Sequence, residues 1–147
     1  MADLVTIDHD TIMARVAAVL KDFPQVAGAY LFGSALAKCR PDSDIDIALV
    51  PEDIELTERE KMRLEDEVAA HFTPLAGHFF DIVLLDPNKP VFGYQVLREG
   101  RLIYDRNHER VTDVMEMVSR GAADLYPRYR AALDEIMAEV MKGERQP

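Results

Sequence analysis

The chain has no tryptophan, a single cysteine (Cys39) and only seven glycines in 147 residues. One cysteine excludes an intramolecular disulfide, and the four histidines show no Cys-x-x-Cys or His-Glu-x-x-His pairing, so there is no zinc signature. A reducing, cytoplasmic setting fits this usage. No apolar run approaches the roughly 20 residues needed to cross a bilayer. The N-terminal MADLVTIDHD carries acidic residues where a secretory leader carries basic ones, so neither membrane insertion nor export is expected. Positive charge is scarce too. Seventeen Lys and Arg stand against 27 Asp and Glu, a formal net charge of −10, which repels a phosphate backbone and disfavours long nucleic acid as a partner. Repeats, low-complexity tracts and Gly/Ser linkers are missing as well, so nothing divides the chain before about residue 106, and its length suits one compact domain with its own core.

What is present is an alternation of helix and strand signals, the pattern of an α/β (α+β) fold. Asp8 or Asp10 can cap a first helix in which Ile12, Val16, Leu20 and Phe23 recur at near-helical spacing and which Pro24 stops. A strand follows from Val26 to Phe32, then a break at Gly33-Ser34, a short helical turn over Ala35 to Lys38, and a strand from Ser43 to Val50 ended by Pro51. Thr57 and Glu60 have capping-box spacing at the head of a second helix with Leu64, Val68 and Phe72 on one face, and Gly77 marks its exit. Phe79 to Leu85 reads as a third strand, Pro90 to Glu99 as a helix closed by Gly100, and Leu102 to Tyr104 as a short edge strand. From Arg106 the pattern predicts two helices with a break around Gly121 and Pro127. The second would carry an apolar stripe of Tyr129, Leu133, Ile136 or Met137, and Val140, packed on the parent domain or on a partner.

The chemistry concentrates between Tyr30 and Val50. In an extended strand alternate side chains share a face, so Asp44 and Asp46 project to one side while Ile45, Ile47 and Leu49 project to the other. Two carboxylates about 7 Å apart, from a rise of roughly 3.4 Å per residue, can lean together onto divalent cations, which favour hard oxygen ligands. Without a cation, two like charges side by side are unfavourable. Asp81 shares a strand face with Val83 and Leu85; should its strand lie beside Ser43 to Val50, three aspartates converge. Such a set suits a two-metal site holding Mg2+ and a nucleoside triphosphate. Gly33 lets the backbone approach phosphate oxygens, and Ser34 offers a hydroxyl and an amide at the start of a helical turn. His78 reads as a surface histidine at a strand start, and Cys39 as a bystander thiol.

In their joint order, Gly33, Ser34, Arg40, Pro41, Ser43, Asp44, Asp46 and Asp81 resemble the motif of the nucleotidyltransferase superfamily that includes DNA polymerase beta, and within it the minimal nucleotidyltransferases. Leu97 to Tyr104 looks like the family's closing helix and strand, and the resemblance covers about residues 10 to 105. It implies a small mixed sheet flanked by helices: a nucleotidyltransferase domain over residues 1–105 and a C-terminal helical extension over 106–147, packed on it or on a partner. It further implies catalytic and metal-binding roles for Asp44, Asp46 and Asp81, and nucleotide binding by Gly33, Ser34, Lys38, Arg40 and Ser43. One departure stands out. Members commonly carry an arginine directly after the Gly-Ser, whereas this chain has Ala35, Leu36, Ala37 and Lys38; Lys38 can act there only as a point charge and not as a bidentate fork.

The activity implied is transfer of AMP from ATP, with Mg2+, to a hydroxyl of a protein partner, in the manner of a minimal-nucleotidyltransferase antitoxin acting on a helical HEPN-type toxin. Small size and an acidic surface suit that role, and a template-dependent polymerase would need further domains and a basic groove. Two alternatives remain: a small-molecule enzyme, for example one acting on a cationic aminoglycoside drawn by an acidic cleft, and a contact-only antitoxin. The sequence leaves a homo-oligomer open.

Overall fold

The computed structural model describes residues 3–145, with side chains beyond residue 125 described only in part. Helix α1 (His9–Leu20) begins where Asp8 accepts hydrogen bonds from the Thr11 amide (3.1 Å) and hydroxyl (2.6 Å). Twelve residues make a marginal helix in isolation. Burial of Ile12, Val16 and Leu20, roughly 1.5–3 kcal/mol each, fixes it to the sheet. Strand β1 (Val26–Phe32) is buried along all but its last residue, as a central strand should be. A 3-10 turn over Gly33–Leu36 and a loop then lead to β2 (Ile45–Pro51). Pro51 sits inside that strand, paired with Val26 at the sheet's end, where a missing amide costs little.

Helix α2 (Glu58–Ala69) carries the reciprocal capping box anticipated from Thr57 and Glu60: the Glu60 amide donates to Thr57 Oγ1 (3.2 Å) and the Thr57 amide to Glu60 Oε1 (3.4 Å). Strand β3 (Phe80–Leu84), helix α3 (Pro90–Glu99) with proline in its first turn, and strand β4 (Arg101–Asp105) complete the sheet. The strand order is β3-β2-β1-β4. Strand β1 runs antiparallel to both β2 and β4, whereas β2 and β3 are parallel. The outer edge of β3 is blunted where the Leu84 amide donates to Glu65 Oε2 of α2 (3.1 Å).

Strand alternation sorts the apolar residues into two layers. Ile45, Ile47, Leu49, Ile82 and Leu84 pack under Ile12, Val16 and Leu20 of α1 and Leu64 and Val68 of α2. Ala48, Val50 and Leu85 face the other way, against Val96 of α3 and Val111, Val114, Met115 and Val118 of the last helix, α4 (His108–Arg145). The expected break in that region is absent among the described residues: α4 is one helix of 38 residues with Pro127 inside it. Gly121 is a packing residue instead of a breaker, since a Cβ there would come within 2.9 Å of Pro90 at the head of α3. Pro127 removes the helical amide that would otherwise bond the carbonyl of Ala123, and Ala123 and Asp124 are both exposed, so water can satisfy the freed carbonyl. The stripe expected from Tyr129, Leu133, Ile136, Met137 and Val140 lies outside the described side chains.

Candidate active site

The parallel register of β2 and β3 sets Asp46 directly beside Asp81. Because Ile45, Ile47 and Ile82 fill the layer under α1 and α2, both aspartates lie on the opposite face, at the entry end of the two strands. Asp44 stands one residue ahead of β2 and is exposed. On the other side of Asp46 lies the end of β1, through the pairing of Phe32 with Asp46, and the next residue is Gly33 at φ +74°. A Cβ on Gly33 would run into the Asp46 carboxylate. Position 33 therefore requires glycine twice, for the left-handed backbone and for the space.

Electrostatically the cluster is short of cations. Burial, the neighbouring charges of Asp81 and Asp44, and a hydrogen bond shared with Asp81 push the Asp46 carboxyl up to about 6. Among the described residues no ion pair reaches Asp44, Asp46 or Asp81. Asp46 and Asp81 are thus brought together, but as the side chains stand no three acidic or imidazole groups among the described residues enclose a metal position. Like charges explain the spread: with nothing positive between them, the exposed Asp44 and Asp81 gain by staying solvated. The donor set nevertheless fits a hard divalent cation, because hard carboxylate oxygens are its preferred ligands and an added positive charge would relieve the like-charge repulsion that raises Asp46.

The remaining candidates are placed less tightly. Ser34 and Lys38 are exposed in and just after the turn. Arg40 pairs with Asp42 at 3.3 Å, with both side chains about three-quarters exposed (75% and 73%), so that contact is a solvated surface pair. Ser43 is half-buried, and its carbonyl accepts a hydrogen bond from His78 Nδ1 at 2.7 Å. His78 is therefore not the surface residue expected of it. Only 5% exposed, it is drawn inward by a partner 35 residues away in the chain.

Two further anchors of the β1–β2 loop went unread in the sequence. His9 Nε2 bonds the Ala35 carbonyl (3.1 Å), while its Nδ1 meets Arg101 Nη1 (2.9 Å). A guanidinium only donates, so Nδ1 accepts and Nε2 carries the proton. Between these histidines, Val5 and Cys39 exchange two backbone hydrogen bonds of 2.8 Å, and the Cys39 thiol is buried. The loop bearing Ser34, Lys38, Arg40 and Ser43 is thus pinned near both ends and in the middle by residues with no motif of their own.

Residues 14–109 match the sequence profile of the family described as polymerase beta, nucleotidyltransferase. Among curated proteins none matches the chain. Solved structures share the fold. One is a tri-AMPylated Shewanella oneidensis HEPN toxin in complex with MNT antitoxin (TM-score 0.59, 22% identity, 88% of this chain and 99% of that chain covered). Another is a toxin–antitoxin with AMP-PNP (TM-score 0.57, 22% identity, 85% and 98% covered). A third is the toxin–antitoxin MntA–HepT (TM-score 0.55, 22% identity, 87% and 98% covered). Among the described residues no helix is long and apolar enough to cross a membrane.

Proposed function

Since the chain belongs to the polymerase beta-type nucleotidyltransferase family, we propose that it moves AMP from ATP onto a hydroxyl side chain of a protein partner, a helical HEPN-type toxin, within the cytoplasm. The observation that carries the reading is the pairing of Asp46 with Asp81 across parallel strands, with Asp44 beside them and, among the described residues, no ion pair to any of the three. A carboxylate cluster without its own counterion is built to take one from a ligand. The structural neighbours, an AMPylated HEPN toxin complex and an AMP-PNP complex, supply the nucleotide and the acceptor class by analogy.

In this reading Asp44, Asp46 and Asp81 hold Mg2+, which when bound neutralises the triphosphate and the departing pyrophosphate. Gly33 and Ser34 bring backbone amides and a hydroxyl to the phosphates where a side chain would collide with Asp46. Asp81, on the outer strand and exposed, is the group positioned to meet an incoming hydroxyl and accept its proton. The hydroxyl oxygen forms a bond to the alpha phosphorus as the bond from that phosphorus to pyrophosphate breaks. Lys38 and Arg40, both exposed, are the basic side chains assigned to the phosphates in this reading. Residues 1–105 carry this chemistry, and the start of the extension over 106–147 packs on α3 through Val111, Val114, Met115 and Val118.

The test is direct. Purified protein with labelled ATP, Mg2+ and the helical partner should label the partner on a hydroxyl and release pyrophosphate. A tight complex with no transfer under any nucleotide or metal would make it a contact-only antitoxin, and label appearing only on a cationic small molecule would make it a small-molecule enzyme.

A further inference from the structure

We propose that His78 is a positioning residue of the site, setting Asp44 against Asp81 through the backbone; the inference rests on the nucleotidyltransferase reading above. Only two polar or charged residues among those described are buried, Asp86 and His78. Asp86 has an ion-pair partner in Lys61. His78 instead spends its hydrogen bond on a main-chain carbonyl, that of Ser43, immediately before Asp44. A carbonyl only accepts, so Nδ1 carries the proton.

The neighbouring contacts show what this bond does. On the other side of Asp44, the Ile45 amide donates to the carbonyl of Phe79 at 2.8 Å. Asp44 is therefore bracketed: the residue before it is held by the side chain of His78, the residue after it by the backbone of Phe79. Both clamps belong to the short run that leads into Asp81. Without the His78 bond, the residue ahead of Asp44 would be held only within its own loop, by the Ser43 amide donating to the Arg40 carbonyl at 3.0 Å. With it, the main chain on both sides of Asp44 is tied to the run that leads into the third carboxylate.

The turn that delivers His78 is strained. Leu75 and His78 exchange backbone hydrogen bonds of 2.9 and 2.8 Å around Ala76 and Gly77, whose φ values are +51° and +83°. Ala76 is the single non-glycine residue at positive φ among the described residues, a conformation that disfavours a Cβ. A buried imidazole and a strained alanine two residues apart are both locally unfavourable. They serve one geometric result, the imidazole donor under the Ser43 carbonyl.

The experiment compares His78→Asn with His78→Gln and His78→Leu in the full chain. Asparagine can place its amide nitrogen where Nδ1 lies, glutamine reaches the position of Nε2, and leucine fills space without a donor. Mn2+ binding in the presence of ATP, followed by electron paramagnetic resonance, reads the site without turnover; thermal melts verify folding, and the Mg2+ concentration for half-maximal transfer completes the set. Leucine and glutamine should each weaken Mn2+ binding and raise the Mg2+ requirement by about 10-fold or more, the scale of losing a group that orients a ligand, while asparagine restores both to within about 3-fold. Folded leucine and glutamine variants that bind Mn2+ like the wild type would overturn the assignment while leaving the site reading intact. An asparagine variant as impaired as glutamine would also overturn it, pointing to proton transfer by the ring. A wild type that binds no Mn2+ with ATP would instead remove the site reading beneath it.

Discussion

Strand β3 leads from one carboxylate site to another, and the protein treats the two in opposite ways. At its start, Asp81 sits beside Asp46, no ion pair among the described residues reaches either, and Asp46 is held above the usual carboxylate range. Just past its end, Asp86 meets Lys61 at 2.7 Å and also accepts from the Asn88 amide at 2.9 Å. Burial there pushes the Asp86 carboxyl up, yet the Lys61 and Asn88 hydrogen bonds outweigh it, and the net shift is downward. The same chemical group is a structural tie where the chain provides the counterion and, in the function proposed above, a ligand site where no ion pair reaches it among the described residues. A fold that gathers like charge without compensation gives up stability, a cost typical of functional sites.

Replacing one carboxylate at each site should break the comparison most sharply. Asp46→Asn should reduce transfer by about 10²- to 10³-fold or more, the scale of removing a main electrostatic contributor, while the protein without metal at pH 7 melts no lower than wild type. Calorimetry with and without Mg2+ and ATP checks both halves; a destabilised metal-free variant with an unchanged ligand response would make Asp46 a structural anchor like Asp86. Lys61→Met should do the reverse. Leaving Asp86 buried and unpaired costs about 3 kcal/mol, whereas transfer per folded molecule stays at the wild-type level, as urea unfolding and activity normalised to folded protein will show.

The pH dependence is the subtler contrast, because the two sites titrate in opposite senses. Asp46 has a folded value of about 6 against 3.8 unfolded, so the folded state binds that proton more tightly. Its contribution to stability is full below about pH 4, falls as pH rises through 6, and is missing from Asp46→Asn. Asp86 lies below 3.8 when folded, so its contribution is present above that value and is lost as pH falls through the folded one. Melting wild type and Asp46→Asn from pH 3 to 8 without metal should show the two curves separating between pH 4 and 6. Parallel curves would remove the electrostatic distinction.

Much of this was legible locally. The capping box at Thr57 and Glu60, the proline opening α3 and the two-residue alternation around Asp46 are short-range signals, and the structure realises each. The failures have non-local causes. Gly121 reads as a breaker by propensity, but its lack of a side chain is used by Pro90 across the α3–α4 contact. His78 reads as a surface residue because its partner, Ser43, lies on another strand's approach, and His9 and Val5 brace a loop far from them in sequence. The spacing of Asp44, Asp46 and Asp81 singled out a candidate set, of which the strand register brings Asp46 and Asp81 side by side; how the loop is held could not be seen until the strands were paired.

Glu65 has a consequence beyond α2. A sheet that ends in an open strand offers its outward amides to any extended chain, including another copy of itself. Here the amide of Leu84 is already taken by that carboxylate, with Asp86 and Lys61 close behind. A fifth strand would have to displace the Glu65 side chain before gaining its first rung. The end of β3 remote from the aspartates is thus guarded against self-templating.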